Sequence, residues 1–317
     1  MLDVNKHTLT LLSGHSDELR VSATVLHEAF GALIEGARLA TRFAVEGKSV
    51  RKGPRPAWLD LACHFEVTGL KPDSAIIQLE ARTLREVDPS RFGDGAQQSL
   101  FGEPDDRFGE QTAIDIFGRL IATILEGDRD DVVADRSLLD VCARFARVSG
   151  GGYDGISLEG LRGRTSRLIV KSSDAPDIEL LRDETPRPQA ARVVGTLDTV
   201  SASRSDVVLV LKDGMHVPAR MEEHNPEALR TLFGKEVVVS GMAYFRPSGR
   251  LLLLDVAALD EARAEDRVFQ KAPVARKQKV VLEATGASDT SGVAAFFGTW
   301  PGEETDAELL AALRALG

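Results

Sequence analysis

The sequence predicts an α+β protein: an N-terminal antiparallel sheet with helices, then a small β-barrel, then a C-terminal amphipathic helix tail. Three observations predict it. Leu26, Phe30, Leu33, Ala37, Ala40 and Ala44 step by four and three, which makes one buried stripe of a long helix. Between Ala190 and Leu259, strand-like runs are punctuated by Gly-containing turns and one short helix. At the end of the chain, Leu309, Leu310, Leu313 and Leu316 fall on one helical face.

Taken in order, His7 to Ser13 alternates like a strand, and Gly14 and Asp17 break it. The long helix runs from about Ser22 to Glu46, and Gly47 ends it. Lys48 to Pro56 is a basic, proline-bearing loop. Trp58 to Val67 reads as a strand, Lys71-Pro72-Asp73 as a turn and Ser74 to Leu84 as a second strand, together a hairpin. Arg85 to Phe108, rich in Asp, Gly, Pro and Gln, reads as a long exposed loop. Ile116, Phe117, Leu120, Ile121, Ile124 and Leu125 mark a helix that stops at Gly127. Leu138, Leu139, Val141, Cys142 and Phe145 mark another that stops at Gly150. Short strands at 156–158, 167–171 and 178–181 close this first region, residues 1–184. Thr185-Pro186-Arg187-Pro188 reads as a linker.

In the second region, residues 190–260, strands are expected at 190–200, 206–211 and 216–221. A short helix follows at 227–233, then strands at 236–245 and 251–257. Lys212-Asp213-Gly214 and Pro247-Ser248-Gly249 supply hairpin turns. Three strands, a helix and two strands is the order of an OB barrel, and this stretch resembles the OB shape. Residues 261–290 read as a linker. It carries the chain's one basic run, Arg267, Lys271, Arg276, Lys277 and Lys279.

A length of 317 residues is enough for two cores, and 43% apolar content is that of an ordinary globular chain. The net charge of −10 argues against a general nucleic-acid binder, because phosphate contacts need clustered Lys and Arg. Two distant cysteines, Cys63 and Cys142, fit a reducing cytoplasm. No apolar run approaches membrane-spanning length and no signal peptide is visible, so the expectation is a cytoplasmic protein without a membrane partner.

No catalytic motif stands out, and neither a metal nor another cofactor is expected. Neighbours on a strand point to opposite faces, so the adjacent Cys63 and His64 read as structural. The acidic groups Glu103/Asp105/Asp106 and Asp128/Asp130/Asp131 read as solvated charge. The barrel offers Phe233, Tyr244 and Phe245 as its aromatics, with Arg246 and Arg250 flanking a turn. That is a thin platform for stacking bases, so single-stranded nucleic acid is an alternative partner and not the favoured one. Gln97-Gln98-Ser99-Leu100-Phe101 resembles the bacterial sliding-clamp-binding peptide, in which Gln97 would bond the pocket rim while Leu100 and Phe101 fill it. The simpler reading is that Leu100 and Phe101 pin the loop to its own domain.

The closing residues, 291–317, carry the strongest signal. Phe296, Phe297 and Trp300 precede a Pro301-Gly302 turn, and Thr305 and Glu308 stand at capping-box spacing. A helix this short is marginal alone in water, so its apolar face needs a surface, on this protein or on a partner. The run from Phe297 to Asp306 (Phe-Gly-Thr-Trp-Pro-Gly-Glu-Glu-Thr-Asp) resembles the tails of small bacterial antitoxins, with Glu303 where Asp is usual. The rest resembles large bacterial proteins that pair an α+β front half with a small barrel. The tail resemblance implies a non-enzymatic antitoxin that binds and inhibits a PIN-type ribonuclease. Phe296, Phe297, Trp300 and Pro301 would anchor it, and Leu309, Leu310, Leu313 and Leu316 would form the buried stripe. Arg314 would reach the acidic metal site of the enzyme.

Overall fold

The computed structural model describes residues 5–12, 22–50, 53–71, 75–92, 108–127, 132–148, 153–162, 166–201, 206–221 and 226–275. All lie in one compact unit, Met1–Arg276. Five strands, β1 (Lys6–Leu12), β2 (Glu66–Lys71), β3 (Ile76–Glu80), β4 (Gly155–Glu159) and β5 (Arg167–Lys171), form an antiparallel sheet in the order β2-β3-β1-β4-β5. Alternation sorts its faces. Leu9, Leu11, Ile77, Leu79, Ile156 and Leu158 all point inward, each no more than 2% exposed.

Against that face lies a helix layer. Helix α1 (Ala23–Glu46) starts where the Ser22 hydroxyl accepts from the Thr24 N–H at 3.2 Å. It stops at Gly47, whose left-handed φ of 74° lets its N–H reach the Phe43 carbonyl. Its predicted stripe is the buried one: Leu33, Ala37 and Ala40 are at most 2% exposed. Helices α5 (Ala113–Glu126) and α6 (Arg136–Val148) pack on α1. Phe117 and Phe145 meet between them edge-to-face, 5.4 Å apart.

Three expectations are corrected. Trp58 to Ala62 is helical: α2 spans Ala57–Ala62, and the strand starts only at Glu66. Trp58, Leu59 and Ala62 are buried while Leu61 is exposed, a helical spacing. The span from Leu84 to Phe92 is not an exposed loop. The Thr83 capping box starts α3 (Leu84–Val87), α4 (Pro89–Phe92) follows, and Leu84 and Phe92 are both buried in the core. Residues 178–181 belong to α7 (Ala175–Glu184). Ile178 is 1% exposed and Leu180 is 49% exposed. A strand would put both on one face, a helix does not. Pro176 in the first turn suits a helix start.

The barrel matches its expected order. Strands β6 (Gln189–Ser201), β7 (Asp206–Val210), β8 (His216–Met221), β9 (Glu236–Phe245) and β10 (Leu251–Glu261) close in the order β10-β8-β7-β6-β9, with α8 (Pro226–Leu232) between β8 and β9. Only the β8–β10 pair is parallel, which is the OB arrangement. Val193, Leu197, Leu209, Val217, Val237 and Val239 fill its interior.

The barrel is joined to the sheet lobe by more than the connecting chain. Leu252 and Leu253 of β10 belong to the core of the sheet lobe. Lys48 Nζ reaches Asp255 Oδ2 at 2.7 Å, with the lysine side chain 4% exposed. The expected linker at 185–188 is anchored at its start: Thr185 is buried, donates its hydroxyl to the Leu181 carbonyl and accepts from Arg136. Part of the other expected linker is likewise held. Ala264–Phe269 forms a 3-10 helix, Arg192 pairs with Asp266 at 2.8 Å and lies over the Phe269 ring, and Ala272 and Ala275 pack on the barrel core.

Candidate functional site

The polar cluster with the most chemistry among the described residues was not visible in the sequence. His7 occupies an inward position of β1, in line with Leu9 and Leu11. Above it, Thr112 caps α5: its hydroxyl accepts from the Asp115 N–H at 3.1 Å, and Asp115 Oδ2 accepts from the Thr112 N–H at 2.8 Å. The Thr112 hydroxyl lies 2.9 Å from His7 Nε2, and Asp115 Oδ1 lies 3.9 Å from His7 Nδ1. From a third side the Arg162 N–H donates to Asp115 Oδ1 at 2.8 Å, and the Arg162 guanidinium donates to the Glu110 carbonyl. Gly160 allows this approach: at φ +77° its bare Cα passes β1 so closely that a Cβ would sit 2.4 Å from the Lys6 carbonyl.

Hydroxyl, imidazole and carboxylate in this order are the groups that nucleophilic catalysis uses. The environment gives them another role. His7, Thr112 and Asp115 are at most 1% exposed, and the Thr112 hydroxyl donates to Asp115 Oδ2 at 3.0 Å, so its proton is spent inside the capping box. Burial pushes the His7 pKa down. Asp115 opposes the shift and Arg162 adds to it, so the ring is neutral. The thiols are equally enclosed: burial pushes Cys63 up to about 12 and drives Cys142 up as well, so both stay protonated.

Two surface grooves are lined by described residues. One, of about 460 Å³, lies between α1, α6 and α7, with Leu39, Val50 and Val141 as its apolar lining. Its arginines are matched by carboxylates: Arg144 with Glu35, Arg182 with Asp140, and Arg136 with Asp183. The other, of about 470 Å³, lies on the outside of the barrel and includes Thr196, Lys212, Glu236, Arg267 and Gln270. Gln270 donates to Glu236 at 3.0 Å and closes one side.

The sequence-predicted site residues fall elsewhere. Gln97, Leu100 and Phe101 lie outside the described residues, as do Phe296, Phe297, Trp300, Pro301, Leu309, Leu310, Leu313, Arg314 and Leu316. Both acidic groups, at 103–106 and 128–131, are outside them as well. Of the barrel aromatics, Phe245 points into the interior at 2% exposure, Tyr244 packs against the sheet-lobe core and Phe233 is 57% exposed. One outward ring is not a stacking platform. Among the described residues no group of three or more His, Cys, Asp or Glu side chains is placed to hold a metal ion. No helix there is long and apolar enough to cross a membrane. Comparison with family models, curated proteins and solved structures finds no match.

Proposed function

We propose that this chain is an antitoxin-like, non-enzymatic protein of the cytoplasm that binds and inhibits a PIN-type ribonuclease through its C-terminal residues. One observation carries the reading: the run from Phe297 to Asp306, with its Trp300-Pro301-Gly302 turn, leads directly into the leucine stripe at 309, 310, 313 and 316. The mode is helix-in-groove recognition, with aromatic anchors and an apolar stripe. The body supports the reading in a limited way. The hydroxyl–imidazole–carboxylate cluster among its described residues is sealed, and its thiols are free and buried, as suits a reducing compartment.

The test is inhibition of a PIN-type ribonuclease recovered with the full chain from the native host. Buried aromatic anchors typically contribute about 2 kcal/mol or more. Trp300→Ala is therefore expected to raise the inhibition constant by roughly 30-fold, and Leu309→Ala/Leu313→Ala by a similar factor. Unchanged inhibition by both variants contradicts the proposal.

The OB topology and the barrel groove with Lys212 and Arg267 favour one second reading, binding of single-stranded nucleic acid. It predicts an affinity that falls steeply with salt and is indifferent to loss of the tail.

A further inference from the structure

His7 ties three elements together at one buried point. Its own strand brings the ring, α5 brings Thr112 and Asp115, and the turn after β4 brings Arg162. An isolated bridge between Thr83 and Thr112 adds the start of α3, where Glu86 completes the cap. Strand neighbours add no charge on this face. His7 pairs with Leu79, while Glu80 and Glu159 alternate to the other side of the sheet.

One tautomer of the ring satisfies all of these hydrogen bonds at once. Thr112 spends its proton on Asp115, so its oxygen accepts from His7 Nε2–H. That leaves Nδ1 as a bare acceptor without a hydrogen-bond partner, directed at a carboxylate 3.9 Å away. Asp115 already takes the Thr112 N–H, the Thr112 hydroxyl and the Arg162 N–H. A proton on Nδ1 would create a cation out of reach of water, beside the Arg162 guanidinium and the positive end of the α5 dipole. Asp115 Oδ1, which takes only the Arg162 N–H, lies 3.9 Å from Nδ1, beyond hydrogen-bond reach, so meeting the proton requires the ring or the turn at 160–162 to shift.

We propose that this cluster is a proton-sensitive lock between the sheet and the helix layer: neutral His7 holds the first turn of α5 and the turn at 160–162 on β1, and protonated His7 releases them. The linkage has a definite sign. Burial, the largest cause, places the His7 pKa below the ordinary histidine value, 6.5. The open form therefore binds the proton more tightly. The lock is fully closed above pH 6.5 and weakens as pH falls toward the pKa of the closed form. One proton makes the opening constant rise by up to about tenfold per pH unit across that window.

The experiment is hydrogen exchange on the full chain between pH 7.5 and 5.5, corrected for intrinsic exchange. The amides of Asp115, Ile116 and Arg162 are expected to lose protection below pH 6.5, while Val239 in the barrel interior does not. His7→Gln keeps a donor for Thr112 and cannot take up the proton, so its exchange is expected to be flat with pH. Loss of protection that persists in H7Q overturns the proposal, as does protection in the wild type that is independent of pH. Should H7Q fail to fold, the ring resonances of His7 in the wild type decide: a neutral, Nε2-protonated ring at pH 6.5 supports the lock, and a half-protonated ring there overturns it.

Discussion

Asp255→Ala is expected to cost about 3 kcal/mol, the low end of the range for removing one partner of a buried ion pair. The Asp255 carboxylate sits 2.7 Å from the Lys48 ammonium, and the lysine side chain is 4% exposed. Without Asp255, this buried cation loses a counter-charge 2.7 Å away at the seam where β10 meets the sheet lobe. The low end applies because the Asp255 side chain is itself 21% exposed, so some water reaches the pair. The pair is no net gain over an apolar seam, since desolvation offsets most of its attraction. Lys48→Met/Asp255→Leu is therefore expected to return to within about 1 kcal/mol of the parent. Urea denaturation of the two single variants and the double variant gives the coupling directly. A single variant as stable as the parent would mean that the seam is held by apolar contacts such as Leu252, Leu253 and Tyr244.

The second large effect is at Gly36. On α1 its missing side chain makes room for Phe117: a Cβ there would sit 2.2 Å from the ring's Cζ. Phe117 cannot retreat, because it is fully buried and packed edge-to-face on Phe145. Helix propensity alone favours Ala over Gly by about 1 kcal/mol. Overpacking of this kind costs about 1–3 kcal/mol and here is at the upper end, so Gly36→Ala is expected to be net destabilising by roughly 2 kcal/mol. Gly31 is the internal control. It lies on the exposed side of the same helix, where an added methyl would meet nothing within 4 Å, so Gly31→Ala is expected to gain up to about 1 kcal/mol. Opposite signs from one substitution on one helix separate packing from propensity. Equal signs would contradict the assigned helix–helix contact.

Long periodic elements were readable from residues alone. The α1 stripe and the stop at Gly47 are local signals, and the barrel strands alternate and end at Gly-containing turns. Of the shorter elements, the helix at 227–233 and the strands at 156–158 and 167–171 were readable, whereas α2 and α7 were not. Helix α2 spans only Ala57–Ala62, too brief for a period to emerge, and its Trp, Leu and Ala are equally at home in a strand. Ile178, Leu180 and Leu181 imitate a strand until burial shows that Leu180 faces out. The His7 cluster was hidden for another reason. His7 and Thr112 lie 105 residues apart, and only the tertiary fold brings the strand and the helix cap together. The one local clue was the Thr112–Asp115 spacing of a capping box, which points to a helix start and says nothing of the histidine beneath it. The proposed partner-binding residues rest on pattern, Trp300-Pro301-Gly302 and four leucines.

The most direct test of that proposal is co-purification from the native host of the full chain and of a chain stopped at Glu283. The account predicts that a small ribonuclease accompanies the full chain, is lost with the truncation and is toxic when expressed alone. Recovery of the same ribonuclease with both chains, or of nucleic acid with both and no ribonuclease with either, would contradict it.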